Sequence, residues 1–455
     1  MFVYGEEASV AVVDLASSVF PILANPAGPM QKSIKFLESL SIRYYVYDNW
    51  AIALNDIHGK HLIWKDPDMF DNLGVDAEAE ITILNALKRH PLRTHHVSEA
   101  TLFIIPMSFA AVKAALLNDT LEKQVYSAAF AALERQPSFR ERQGHAHIVV
   151  SLWYAHFEHR FRKIARYRND ALMSFYDRLW NVTVADYRNK AGIQVLYESG
   201  KHPDFQNWFS REHIQTTRAT FSIGLVPSRY SVPLLFPSFQ RFQTARFNFF
   251  YHVRPTKFWT PNSTLFRRAA LQPDIVQALS PSSIGNGLPK ATWEEHFQNS
   301  KFCLVTRGDD PSTHALLRSV RVGCVPVVVS DAYPLYAPSM PHSISMHDYC
   351  IFIKETDFIQ NPLRELSKVL QLGSTLIQQK LAALTMAQRI VLPDHPSSLF
   401  VPAFLHEAQL AMDHGREEAF ASQYRKRIGA NDSFLLPFQK AKRSKSRQRQ
   451  QPPPA

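Results

Sequence analysis

A parallel α/β fold is predicted by three stretches of this chain, each a short, continuous apolar run. Phe302 to Val305 is followed by a polar turn from Arg307 to Thr313, by helix-like Ala315 to Val322, and by the β-branched run Val325 to Val329. Leu102 to Ile105 leads into helical sequence from Ala110 to Gln136, and Ile148 to Leu152 is a third such run. Continuous rather than alternating hydrophobicity suits strands covered on both faces, as in parallel sheets with helical crossovers. Ligands in such sheets sit outside the carboxyl ends of the strands, so the turn after Val305 would offer backbone N–H groups to an anion. Ser312 or Thr313 would cap the helix behind it.

The other elements follow in order. Ile42 to Tyr47, ending in Asp48, alternates aromatic and aliphatic residues and reads as a first strand; Glu78 to Lys88 is helix-like. The Ile148 strand is entered through Gly144, His145, Ala146 and His147. Val232 to Phe236, set among Pro227, Pro233 and Pro237, resembles the element that closes the first domain of the exostosin-type glycosyltransferases, which implies a boundary near Gln240, and Arg246 to Arg254 resembles the strand that opens their second. Arg267 and Arg268 fall on a helix from which they would reach phosphates. Beyond Asp331, Tyr333 to Pro341 is a loop and Cys350 to Ile353 a strand. Pro362 to Gln388 has helical periodicity, with Leu363, Leu366, Val369, Leu370 and Leu381 on one face.

A length of 455 residues predicts two or three domains, with apolar content ordinary for a globular protein. The net charge of +11 suits an anionic partner: a nucleotide sugar, an acidic glycan, nucleic acid or a membrane surface. Much of the surplus sits in the tail, where Lys440, Lys442, Arg443, Lys445, Arg447 and Arg449 precede Pro452 to Pro454. That composition predicts a solvated, disordered end rather than a nucleic-acid arm. Three cysteines exclude a disulfide scaffold; one bond between Cys303 and Cys324 with Cys350 free, or three reduced thiols, are both open. His156, Glu158 and His159 lack the i, i+4 spacing of helical metal ligands. Sequons occur at Asn118, Asn181, Asn262 and Asn431. Ser9 to Ala24 is apolar but is interrupted by Asp14, followed by Pro21 and preceded by Glu6 and Glu7, so it does not read as an anchor.

Residues 300 to 331 resemble the C-terminal signature of the exostosin-type glycosyltransferases, S-x-F-C-L-x-P-x-G-D-[ST]-P-S-S-x-R-L-F-[DE]-A-I-x-x-G-C-[IV]-P-V-[IV]-[IV]-S-D. Ser300, Phe302, Cys303, Leu304, Gly308, Asp309, Pro311, Ser312, Leu316, Gly323, Cys324, Pro326, Val327, Ser330 and Asp331 match without a gap. Thr94, Ala100, Phe103 and Pro106 match a second family segment, and His147 matches the histidine of G-x-D-H. Three polar positions depart from the pattern. Ala315 stands for an arginine that would neutralise a pyrophosphate, Arg318 for an acid suited to a ribose or sugar hydroxyl, and Ala146 for the aspartate beside His147.

The resemblance implies a GT-B type α/β fold, with two Rossmann-like domains facing each other across a cleft. It divides the chain into an N-terminal segment (1–40), an acceptor domain (41–239), a nucleotide-sugar domain with closing helices (240–435) and the basic tail (436–455). It implies inverting transfer of a sugar from a nucleoside-diphosphate donor to a glycan or glycoprotein. The donor would be held by Arg307, Gly308, Asp309, Ser312, Thr313, His314, Ser330 and Asp331, and His147 would be the base on the acceptor hydroxyl. No metal or other cofactor is implied, the nucleotide sugar being the substrate. A glycosyltransferase partner fits the family, nucleic acid does not, and the family's place is the Golgi or endomembrane lumen. The three departures also fit a catalytically silent subunit that binds glycan or supports an active partner.

Overall fold

Ten strands among the described residues of the computed structural model form two separate, wholly parallel sheets. The structure describes residues 27–47, 75–110, 119–152, 179, 181–199, 219–227, 232–250, 290–307 and 311–413. The first sheet contains β1 (Tyr44–Val46), β2 (Arg93–Thr94), β3 (Leu102–Ile105), β4 (His147–Val150), β5 (Thr183–Asp186) and β6 (Thr220–Ser222), in the order β2-β1-β3-β4-β5-β6. The second contains β7 (Phe247–Phe250), β8 (Ser300–Thr306), β9 (Val325–Val329) and β10 (Ile351–Phe352), in the order β10-β9-β8-β7. This is the expected α/β layout of two parallel-sheet halves. The first sheet reverses direction at β1, which puts a crevice between the carboxyl ends of β1 and β3. Asp48, expected at that crevice, lies outside the described residues.

The runs at β3, β8 and β9 became strands because both of their faces are covered: all residues of β3 and β9, and all but Lys301 of β8, are buried. Strands β2, β5 and β6 went unpredicted. At two to four residues they are too short to display a period, and only pairing with a neighbour defines them.

Helices α1 (Ala27–Glu38), α2 (Val75–Arg89), α3 (Asp119–Glu134), α4 (Pro137–Arg142) and α5 (Lys190–Ser199) accompany the first sheet. Helices α6 (Phe239–Thr244), α7 (Lys290–Gln298), α8 (Ala315–Arg321), α9 (Tyr333–Tyr336), α10 (Met346–Tyr349), α11 (Glu355–Gln360), α12 (Pro362–Leu370), α13 (Ser374–Val391) and α14 (Phe400–Met412) follow in the second half. Two expectations are corrected. The loop after Asp331 contains a one-turn helix, α9, and the helical stretch from Pro362 is two helices, broken at Gln371–Gly373. Asn361 starts α12, its Oδ1 accepting the Arg364 N–H at 3.1 Å, while Gly373 is extended and begins α13.

The two halves share one apolar cluster, in which Ile223, Leu225 and Val226 of the first meet Leu317, Tyr336 and Met340 of the second. Backbone closes the contact. The Asn189 N–H donates to Tyr336 O (2.7 Å), Ser222 Oγ to Pro338 O (2.5 Å) and the Met340 N–H to Ser222 O (3.1 Å). Gly192 lets α5 approach so closely that a Cβ there would lie 1.8 Å from Leu335 O. The connection between the halves is stitched down by Arg321 Nε on Val232 O (2.6 Å), Gln388 Nε2 on Leu235 O (2.9 Å) and Arg241 on the carbonyls of Val322 and Gln298 (2.5 Å each). Helix α14 then returns to the first sheet, where Phe404 meets Phe221 edge to face at 5.0 Å.

A disulfide joins Cys303 in β8 to Cys324 just before β9, with Cα atoms 5.8 Å apart, and Cys350 is a buried thiol. Of the two arrangements open in the sequence, the structure has the first. Among the described residues no helix is long and apolar enough to cross a membrane.

Gly192→Ala is expected to destabilise the protein by about 1–3 kcal/mol, because the clash is with backbone that is itself hydrogen-bonded. Gly373→Ala is the control: its Cβ meets nothing within 4 Å at an ordinary negative φ, so it should leave the urea midpoint unchanged or slightly raised.

Candidate active site

Between β8 and α8, the carbonyls of Pro311 and Thr313 are held by side chains that follow β9. Ser330, the first residue past β9, donates its hydroxyl to Pro311 O at 2.8 Å, and the Tyr333 hydroxyl donates to Thr313 O at 3.0 Å. Thr313 Oγ1 accepts the Ala315 N–H at 3.3 Å, so Thr313 supplies the capping oxygen at the start of α8. Ser312 is buried beside it. Asp331 and Glu355 clamp each other: the Asp331 N–H donates to Glu355 Oε1 and the Glu355 N–H to Asp331 Oδ1, each at 3.1 Å. Arg307 Nη1 stands 4.0 Å from Glu355 Oε2. Burial raises the Glu355 carboxyl above its ordinary range and the Arg307 charge partly offsets this. The structure therefore brings Arg307, Ser312, Thr313, His314, Ser330 and Asp331 to one carboxyl edge; Gly308, Asp309, Arg267 and Arg268 lie outside the described residues.

The first half reaches this turn through α2. His314 Nε2 is 3.6 Å from Asp76 Oδ1. Burial, with the nearby Arg318 charge, pushes His314 down to about 3, so it is neutral at physiological pH and its contact with Asp76 is a polar one. Burial also lowers Arg318, and the Glu78 carboxylate counteracts it. The acid that the pattern places on α8 is thus answered by an acid on α2. Ala315, in place of the expected arginine, packs against the shared apolar cluster.

His147 does not face this region, which corrects its assignment as acceptor base. It is the first residue of β4, paired with Phe103 at the start of β3, and in a parallel sheet that is the amino edge, away from the ligand side. It has no solvent exposure. Its Nδ1 lies 2.8 Å from His145 O and its Nε2 2.7 Å from the Tyr47 hydroxyl, which in turn meets Ser138 Oγ at 2.7 Å. A single proton pattern satisfies all three: Nδ1–H donates to the carbonyl, Tyr47 donates to Nε2, and Ser138 donates to Tyr47. The ring stacks on Phe103 at 4.8 Å, and burial, with the nearby Arg142 charge, pushes it down to about 4, so it is neutral. Ala146, where an aspartate was expected, has a left-handed φ of 62° and leans on the shared apolar cluster and on a second cluster within the first half.

The sequence reading missed Glu80. Fully buried on α2, it accepts Ser108 Oγ (2.7 Å) and the Ala110 N–H (2.9 Å) through Oε2 and the Leu152 N–H (2.8 Å) through Oε1. It thereby ties the segments that leave the carboxyl ends of β3 and β4 to the helix whose Asp76 meets His314. Burial raises it to about 8, and its three donors oppose the rise. The signal was present: Ala77, Glu80, Leu84 and Leu87 share one helical face, so the acid sits where an apolar residue belongs. A second buried acid, Asp186 at the carboxyl end of β5, is held by Arg188 at 3.1 Å.

Residues 261–368 match the family model of the Exostosin GT47 domain. That segment is exostosin-like. It contains β8, α8, β9 and β10, and with them the turn between β8 and α8. No curated protein matches it significantly. Among solved structures, the crystal structure of the GtfA/B complex is similar over 74% of this chain and 61% of its own, at 12% identity and a TM-score of 0.34, too low to bear on fold or function.

Two outcomes test these assignments. His147→Ala should cost about 3 kcal/mol of stability, read by chemical denaturation, because it empties a packed aromatic site and strands the Tyr47 hydroxyl. For Glu80, the folded carboxyl binds its proton more tightly than the unfolded one, whose value is near 4.5. Its contribution to stability therefore falls as pH rises from about 4.5 to about 8, and Glu80→Gln should flatten the pH–stability curve in that window.

Proposed function

We propose that this exostosin-like chain transfers a sugar from a nucleoside-diphosphate donor to a hydroxyl of a glycan or glycoprotein, with inversion. The observation that supports this reading most is the fixed turn at the carboxyl edge of β8 and β9. Ser330 and Tyr333 hold its Pro311 and Thr313 carbonyls, and Arg307, Thr313 and His314 lie beside a second α/β half. An in-line displacement needs that kind of preorganised polar surface at the diphosphate: the acceptor oxygen bonds to the anomeric carbon, the bond from that carbon to the diphosphate breaks, and the nucleoside diphosphate leaves. The acceptor's proton goes to a group other than His147. On this reading the donor is a substrate, held by side chains and backbone without a resident metal.

The Cys303–Cys324 disulfide favours an oxidising compartment, in keeping with the Golgi or endomembrane lumen. One observation favours a second reading, a silent subunit that binds glycan or supports an active glycosyltransferase. The arginine expected at position 315 is an alanine, partly buried against the apolar cluster, so one charge for the diphosphate is absent from α8.

Thermal unfolding with uridine and guanosine diphosphate sugars distinguishes the two. A transferase should be stabilised by one donor class, by about 2.7 kcal/mol at a hundredfold excess over Kd, and Arg307→Ala should remove most of the shift. Glycan binding with no response to any nucleotide sugar would identify the silent subunit.

A further inference from the structure

Of the four sequons, Asn181-Val182-Thr183 is the one that falls among the described residues. It forms the entry to β5, where Thr183 pairs with Ile148 of β4, so Asn181 stands at the amino edge of the first sheet, away from the ligand side. The asparagine is half-buried, and its Nδ2 donates to Gln143 O at 3.1 Å in a hydrogen bond that lies at the surface. That carbonyl belongs to a tight turn. Gln143, Gly144 and Ala146 have positive φ values of 50°, 84° and 62°, and a Cβ on Gly144 would lie 3.4 Å from Asn181 Cβ. We propose that Asn181 carries an N-linked oligosaccharide. This rests on the oxidising compartment that the Cys303–Cys324 disulfide favours and is independent of the donor reading.

The position meets the chemical requirements of the linkage. An acceptor asparagine needs a serine or threonine two residues on, any residue but proline between them, and a place at the surface; Val182 and Thr183 satisfy the first two. Transfer from a polyprenyl-diphosphate-linked oligosaccharide forms a bond from Nδ2 to the sugar's anomeric carbon and breaks the bond from that carbon to the diphosphate. Polyprenyl diphosphate leaves, and Nδ2 loses one proton. Its second hydrogen remains, so the contact with Gln143 O survives the modification and the turn before β4 keeps its anchor. Val182 and Thr183 are 0% and 2% exposed in the folded protein, which makes the Thr183 hydroxyl readable only before β5 joins the sheet. Attachment precedes folding. The finished glycan then stands at the amino edge, where it leaves the carboxyl edges of both sheets open to ligands.

The test is site-resolved peptide mass spectrometry of the full chain, secreted from cultured animal cells behind a cleavable leader, with and without peptide N-glycosidase. In the wild type the enzyme should release an oligosaccharide from the Asn181 peptide and convert that asparagine to aspartate. Thr183→Ser should keep the modification, whereas Asn181→Gln and Thr183→Val should each lose it. All four proteins are read as secreted, disulfide-bonded material, which removes misfolding as a cause of loss. Alkylation before reduction reports the disulfide in the same digest. If Cys303 and Cys324 are bonded and Asn181 is bare in the wild type, the glycan is overturned and the oxidising compartment stands. If both cysteines alkylate as free thiols, the compartment falls and the glycan with it.

Discussion

The carboxyl edges of the two sheets face each other at a spacing set by backbone rather than by long side chains, and every polar feature of the site depends on that spacing. Gly192 against Leu335, Asn189 on Tyr336 and Met340 on Ser222 put main chain against main chain, which leaves no slack for a rotamer to absorb. The shared apolar cluster surrounds these contacts and keeps water from them. The halves therefore meet rigidly near β5, β6 and α9. Nearer α2 and α8 they meet through charged and polar groups, which an anion can displace.

That asymmetry gives the site its character. One end of the cleft is closed by close packing and by the connection anchored on Arg321, Gln388 and Arg241; the other is lined by Arg307, His314 and Arg318 with their carboxylates. A rigid frame with an electrostatically adjustable mouth suits a reaction in which a charged group enters with the donor and leaves with the nucleotide. Buried carboxylates reinforce the frame by gathering backbone donors. Glu80 does so for the segments after β3 and β4, and Glu407 accepts the N–H groups of His342 and Ser343 at 2.8 and 2.9 Å. Both are raised to about 8 by burial, so the frame stores its polar groups in a form sensitive to mildly alkaline pH.

Much of the second half was legible in the sequence. Residues 300–331 announce strand, turn, helix and strand because each element is a short block of one kind of residue bounded by turn formers, and Thr313 and Ser330 fall where the turn needs hydrogen-bonding groups. The first half was less legible, since β2, β5 and β6 exist only by pairing. His147 was misread for a geometric reason that the sequence also contained: a residue preceding a strand of a parallel sheet lies at the amino edge, and ligands bind at the other. Glu80 was overlooked because an acid among helical acids reads as solvated surface until its neighbours Ala77, Leu84 and Leu87 are seen to be buried.

What the sequence by itself determined is the set of local choices: the apolar runs of β3, β8 and β9, the capped turn before α8, and the family resemblance carried by residues 300–331. These are decided by neighbours along the chain, through backbone preference and hydrophobic periodicity. Only the tertiary structure decided which half faces which, that Cys303 bonds Cys324, that His147 is satisfied inside an aromatic cluster, and that Asp76 of α2 meets His314 beside α8. Those are contacts between residues tens to hundreds of positions apart. Their energies depend on burial and distance, and a linear sequence states neither.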